Sequence, residues 1–370
     1  MKIAFLGTKG IPNNYGGFEQ FAEYISVLLA AKGHEVTVYN PSFHPWSQQK
    51  YRGVSIVRIS SPENIIGSAA NFIYDHLCLK HALQQDYDII YEAGYHSVAM
   101  SYKLLKIKKY QKPIIITNMD GIEWKRSKWN FLVRKLIKSL EKIAVKESPY
   151  LISDNPGIRQ YYLDEFNRES YFLPYGADPV NEFDEGHLSK HNVNKNNFFL
   201  LIARMEPENN IELILESYKK SGHSFPFLVV GNYTNAFGRQ MASKYKSGVH
   251  FTGGIYNKKE LDSLRYFSSA YFHGHSVGGT NPSLLEAMAC RSMIVAHDNA
   301  FNRGVLGEEA VYFNDERELI NHFKSMDQIM FNNAPSFKEK NFQKIIHQYN
   351  WELIADQHEE LFSSLIKKNL

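Results

Sequence analysis

Cysteine is almost missing from this chain: two residues in 370, Cys78 and Cys290, lying far apart. Two distant thiols make neither a disulfide framework nor a metal-binding spacing, so a reducing cytoplasm is the expected setting. No apolar run approaches the roughly 20 residues that a bilayer span requires. Met1-Lys2 leads straight into Ile3-Ala4-Phe5-Leu6, which does not read as a signal peptide. A soluble or peripheral protein is expected. Charge of one sign is not in excess either, with 42 Lys plus Arg against 39 Asp plus Glu, which argues against nucleic acid as the main partner. Low-complexity tracts and short repeats are absent. So are the usual nucleotide fingerprints. The first glycine loop, Gly7-Thr8-Lys9-Gly10-Ile11-Pro12-Asn13-Asn14-Tyr15-Gly16-Gly17-Phe18-Glu19, is too long for a dinucleotide G-x-G-x-x-G and is not a Walker A loop. The next strand ends in Tyr39-Asn40, without the acid that holds an NAD ribose. A dehydrogenase reading is weak.

What is present is a repeated alternation of short apolar runs and amphipathic segments, with 44% hydrophobic residues, enough for two ordinary domains. Strand-like runs fall at 2–6, 35–39, 54–59, 88–91, 113–117, 150–153 and 171–173. A second series follows at 198–202, 227–230, 249–252, 270–273, 293–296 and 311–313. Such a pattern predicts an α/β protein with two Rossmann-like, doubly wound parallel sheets facing each other across a cleft. Pro174-Tyr175-Gly176-Ala177-Asp178 and the polar stretch from Asn181 to Asn197 separate the series. The expected domains are 1–178 and 179–350. A last amphipathic helix from Trp351 (351–370) is expected to return to the first domain.

The most informative segment runs from His273-Gly274-His275-Ser276-Val277-Gly278-Gly279-Thr280-Asn281 into Pro282-Ser283-Leu284-Leu285-Glu286. Asn281 suits an N-cap and Pro282 the first helical position. Beside Gly278 and Gly279 the helix tip, with amides at Ser283 and Leu284, is expected to hold phosphate. Glu286, one turn on, is placed to accept hydrogen bonds from a hydroxylated ligand, so the combination suits a nucleotide sugar. Arg204, after the first strand of the second series, is a natural diphosphate clamp. Asp120, ending a first-half strand beside Gly121, could orient a hydroxyl or take its proton, with Glu123 and Trp124 close by. Gly16-Gly17 could bring amides onto a phosphate or an acceptor sugar. Asp86-Tyr87-Asp88 precedes its strand and is discounted as a metal motif. His273 and His275 make a weak metal pair; His273 is expected to be buried, and His275 to reach the ligand. No metal or other cofactor is expected.

The residues 124–147 hold Lys125, Arg126, Lys128, Arg134, Lys135, Lys138, Lys142 and Lys146 against two acids, with Trp129, Leu132, Leu136, Leu140 and Ile143 between them. A helix of this kind either covers a sheet with its basic face in water or lies on an anionic membrane surface.

Taken together, these residues resemble glycosyltransferase family 4 of the two-domain GT-B type, in its bacterial rhamnosyltransferase branch. The resemblance covers nearly the whole chain. It rests on Asn14-Tyr15-Gly16-Gly17-Phe18-Glu19, Asp120-Gly121-Ile122-Glu123-Trp124 with Lys128-Trp129, Arg204-Met205-Glu206-Pro207-Glu208-Asn209-Asn210, and the segment 273–289. The resemblance implies a retaining transfer of a sugar, L-rhamnose from dTDP-rhamnose, onto a lipid-linked saccharide in bacterial surface polysaccharide synthesis. The enzyme would be cytoplasmic, or peripheral on the inner face of the plasma membrane. Donor-binding positions are then Gly16, Gly17, Arg204, Asn209, Tyr256, His275, Gly278, Gly279, Thr280, Asn281, Ser283 and Glu286. Acceptor-binding positions are Tyr15, Asp120, Glu123 and Trp124, and the chemistry falls to Asp120, Arg204 and Glu286. Two departures stand out: the first acid of the family's E-x7-E motif falls on Gly278, and its lysine falls on Asn209. Another nucleotide sugar (UDP- or GDP-linked), a sugar-nucleotide 2-epimerase and a non-catalytic nucleotide-sugar-binding protein remain as alternatives.

Overall fold

The computed structural model describes residues 1–126 and 129–369, arranged as two compact units. Lys128, counted above among the cations and family markers, lies outside the described residues. Unit 1 comprises Met1–Lys125, Trp129–Tyr175 and the chain from Trp351 onward; unit 2 comprises Gly176–Asn350 together with Arg126.

Unit 1 is built on eight strands: β1 (Lys2–Leu6), β2 (Glu35–Pro41), β3 (Lys50–Tyr51), β4 (Val54–Ile59), β5 (Ile89–Glu92), β6 (Ile114–Asn118), β7 (Tyr150–Ser153) and β8 (Tyr171–Phe172). Their order is β3-β4-β2-β1-β5-β6-β7-β8. All pairs are parallel except the short β3 on β4. The central strands have no exposed face, which is why they read as unbroken runs such as Ile114-Ile115-Ile116 and not as alternation. The helix Trp351–Asn369 packs on the helix Gly17–Ala31, as its apolar spacing predicts. Trp351 stacks on Tyr24 with ring centroids 4.6 Å apart, and His358 meets Phe21 and Tyr91.

Unit 2 holds β9 (Phe199–Ile202), β10 (Phe227–Val230), β11 (Val249–Gly253), β12 (Ala270–His273), β13 (Ile294–His297) and β14 (Val311–Phe313), all parallel, in the order β11-β10-β9-β12-β13-β14. Phe199, Tyr218, Phe227, Phe272 and Phe323 interlock at its core. Each such ring withdrawn from water contributes about 2–3 kcal/mol. Helix starts are set by side-chain caps: Asn235, Asn257, Asn281, Asn299 and Asp315 each accept a hydrogen bond from an amide of the first turn.

Candidate functional site

In unit 2, β9 pairs with β10 on one side and β12 on the other, so chain direction across the sheet reverses between β9 and β12. Loops leaving the carboxyl ends of two such strands diverge and leave a crevice, where open α/β sheets bind ligands. The loops here are 203–210 after β9 and 274–281 after β12. They are tied to each other. Ser276 donates to the Glu208 carbonyl from both its amide, at 3.0 Å, and its hydroxyl, at 2.8 Å. Asn210 Nδ2 donates to the Gly274 carbonyl at 2.8 Å. Gly274 permits this approach, since a Cβ there would lie 2.0 Å from the Asn209 carbonyl oxygen.

The helix Pro282–Ala289 begins as the sequence indicates, with Asn281 as N-cap and Pro282 in the first turn. Its tip differs in detail from the expectation. Ser283 N donates to Asn281 Oδ1 at 2.9 Å and Leu284 N to the Asn281 carbonyl at 3.0 Å, while the Ser283 hydroxyl meets Tyr271 OH at 2.8 Å. Ser283 and Leu284 are therefore corrected from phosphate holders to parts of the cap, because the cap that starts the helix consumes their amides. The amides of Gly279 and Asn281 have no acceptor among the described residues, which moves the open donors one turn toward the glycines. Thr280 is buried.

Arg204 is exposed and its guanidinium has no partner among the described residues; Glu208, four residues on, is buried with Arg126 3.7 Å away. Glu286, in the helix behind the tip, accepts from Arg265. Arg265 is 2% exposed and also bonds Asp262 at 3.2 Å, so it fixes where the carboxylate points. Sequence reasoning missed Arg265. Its local signal is weak, since Asp262 and Arg265 share the buried face of the helix Lys258–Phe267 with Glu260 and Ser263 as well as Leu264 and Phe267. Tyr256, beyond the edge strand β11, is 90% exposed. His273 is buried, and burial with His297 beside it pushes its imidazole down to about 3, leaving it neutral. Among the described residues no group of three or more His, Cys, Asp or Glu is placed to hold a metal ion. Asp86 sits at the amino end of β5, paired with Lys2 at 2.9 Å and Lys112 at 3.1 Å.

The equivalent crevice of unit 1, between β1 and β5, is different. Gly7 leaves β1, and Glu92 ends β5 with neither carboxyl oxygen hydrogen-bonded among the described residues. Burial, then Asp75, holds the Glu92 carboxyl well above its usual range; burial pushes Asp75 up to about 6 although Ser97 bonds it. Lys9, whose charge acts on Asp75, is taken up by Glu63 and by Asn71 at 2.8 Å. Gly16 is corrected as well: its amide donates to Asn13 Oδ1 at 3.2 Å, and the buried Glu19 takes the Lys9 amide at 2.7 Å. This glycine loop is filled by the chain's own oxygens. Gly17 opens the helix Gly17–Ala31. Asp120 follows β6 and accepts from Tyr175 OH at 3.3 Å. Glu123 is bonded by Trp129 Nε1 at 3.0 Å. Trp124 is anchored to Tyr161 OH at 3.3 Å, with Lys138 4.4 Å from the ring centroid. Tyr15 is 74% exposed.

Residues 184–328 match the family model described as glycosyl transferases group 1. That match lies within unit 2. Residues 1–178 match a model described as a domain of unknown function (DUF1972). An uncharacterized glycosyltransferase of Methanocaldococcus jannaschii is 22% identical over 250 residues, covering 62% of this chain and 62% of that protein. A probable sucrose-phosphate synthase of Thermosipho melanesiensis is 24% identical over 247 residues, covering 60% and 55%. The matches thus span less than two thirds of these relatives. Among solved structures, sucrose-phosphate synthase from Thermosynechococcus elongatus superposes with a TM-score of 0.77 at 15% identity, covering 99% of each chain. HepE of Anabaena, in complex with UDP-glucose, gives 0.76 at 14% identity over 98% of this chain and all of that one. At these identities the likeness shows the fold, which is GT-B. The expected pair of parallel α/β sheets and the returning C-terminal helix are both present.

Proposed function

We propose that this chain is a retaining glycosyltransferase that moves L-rhamnose from dTDP-rhamnose onto a hydroxyl of a lipid-linked saccharide in the synthesis of a bacterial surface polysaccharide. The observation that carries the reading is an unpartnered Arg204 guanidinium on one loop and open Gly279 and Asn281 amides on the other, the two loops tied together at the β9–β12 crevice of a glycosyl transferases group 1 unit. Breaking the bond from the sugar's anomeric carbon to the diphosphate leaves the electron pair, and growing negative charge, on the departing phosphate oxygen. Arginine and oriented amides stabilise that charge more than the ground state, which is where they accelerate the step. Glu286, steadied by Arg265, binds the nucleotide ribose. The acceptor oxygen bonds to the anomeric carbon, and its proton passes to the departing phosphate oxygen.

A peripheral membrane role belongs to the same reading. Phe131, Leu132 and Leu136 are 78%, 74% and 56% exposed on the helix Phe131–Glu147, beside Lys135. A helix that merely covers a sheet buries such residues, whereas an interfacial helix inserts them and lays its cations on anionic headgroups. Replacing all three by Ser should weaken co-sedimentation with phosphatidylglycerol vesicles by about ten-fold or more; unchanged binding removes the membrane from the proposal.

Incubation with labelled dTDP-rhamnose and a prenyl-diphosphate saccharide, with UDP- and GDP-sugars in parallel, tests the reaction itself. Label in the lipid-linked product supports transfer. An altered nucleotide sugar without acceptor supports epimerisation, and binding without turnover supports a silent binding protein; either result overturns the proposal.

A further inference from the structure

The two departures from the family pattern, Gly278 in place of an acid and Asn209 in place of a lysine, meet at one side chain. Asn209 Nδ2 donates to the Arg204 carbonyl at 2.7 Å, which turns its Oδ1 toward His275 Nδ1, 2.9 Å away. An amide oxygen only accepts, so Nδ1 carries the proton of the ring. The His275 carbonyl is held by Asn299 and Asn302, each at 3.0 Å, so the residue is fixed at both ends. Burial, then His273, Arg126 and Arg204, hold the imidazole well below its usual range, and a neutral ring protonated at Nδ1 leaves Nε2 with a lone pair. Nε2 has no partner among the described residues. It points at the space a side chain at 278 would fill: a Cβ on Gly278 would lie 2.7 Å from it, and the Gly278 φ of +144° already disfavours a side chain. An acid at 278 and this placement of His275 exclude each other.

Resting on the glycosyltransferase reading, we infer that His275 is a specificity-determining residue, its Nε2 accepting a hydrogen bond from a hydroxyl of the transferred sugar in the place vacated at Gly278. A carboxylate there would add a negative charge close to the donor diphosphate and accept from two hydroxyls at once. A neutral imidazole accepts from one, in one direction, and brings no charge. The site thereby selects by hydroxyl placement and suits a sugar with fewer hydroxyls to satisfy, such as a 6-deoxyhexose. Asn209 is then a positioning residue, acting only through the ring.

Calorimetric titration of dTDP-rhamnose, UDP-glucose, dTDP and UDP into wild type, His275→Ala and His275→Gln tests this. A buried hydrogen bond is worth about a ten-fold change in affinity. His275→Ala should lose about that factor for whichever nucleotide sugar the wild type binds, while the matching free diphosphate changes by less than about two-fold. His275→Gln, whose Oε1 sits near the Nε2 position, should recover most of the loss. Equal losses for sugar and free diphosphate, or none for either, overturn the role of His275 and leave the transferase reading standing. A wild type that binds the diphosphates but no nucleotide sugar overturns both.

Discussion

The two units run nearly the same strand plan, and their switch-point crevices hold opposite chemistry. In unit 1 the β1–β5 crevice contains two buried carboxyls, Glu92 and Asp75, and a lysine already engaged by Glu63 and Asn71. In unit 2 the β9–β12 crevice has an unpartnered arginine, open amides and a carboxylate steered by a buried arginine. Topology alone therefore does not make a phosphate site; the loops must supply cations and donors that the chain itself does not use. The surfaces differ in the same direction. Among the described residues, all the large exposed apolar side chains except Tyr256 and Phe331 belong to unit 1.

The largest effect expected from breaking this contrast is at Arg265. Its replacement by Leu takes the buried cation from Glu286, leaves Asp262 with the more exposed Lys258 at 2.6 Å, and should cost about 3 kcal/mol in denaturant unfolding. A loss below about 1 kcal/mol would mean that Glu286 is not steered in this way.

Next comes the buried histidine of unit 1. Burial pushes His358 down to about 4 against an ordinary 6.5. Between those values the unfolded chain binds a proton that the folded chain refuses, so the stabilising effect is complete above pH 6.5 and declines as pH falls toward 4. His358→Phe, which keeps an aromatic ring against Phe21 and Tyr91, should remove about 2 kcal/mol of the stability lost between pH 7.5 and 5. An acid limb identical to wild type would show that His358 titrates normally.

The smallest effect sharpens the comparison most. If Glu92 is protonated in the folded protein, Glu92→Gln is nearly isosteric and isoelectric and should change stability at pH 7 by less than about 1 kcal/mol. A larger destabilisation would require a charged Glu92 and a cation to match it.

Much of this was legible in the sequence. The apolar runs gave the parallel strands because their central members are buried on both faces, and Asn281-Pro282 gave the start of the helix at the site. The strand β3 escaped because two residues, Lys50 and Tyr51, carry no period. Arg265 escaped because its partner Glu286 lies on another helix, a relation no local spacing encodes. Ser283 and Leu284 depart from the expectation for a subtler reason. The asparagine that announces a helix start also takes up the first-turn amides, so it cannot both cap the helix and leave those amides to a ligand. The same holds for Gly16, whose neighbours Asn13 and Glu19 fill the loop they create.

The most direct test of the unit 2 crevice as a diphosphate site is the affinity of dTDP and dTMP for wild type and for Arg204→Ala. A guanidinium that clamps the diphosphate predicts a loss of about 100-fold for dTDP and little change for dTMP. Equal affinity of dTDP for both proteins would contradict the account at its centre.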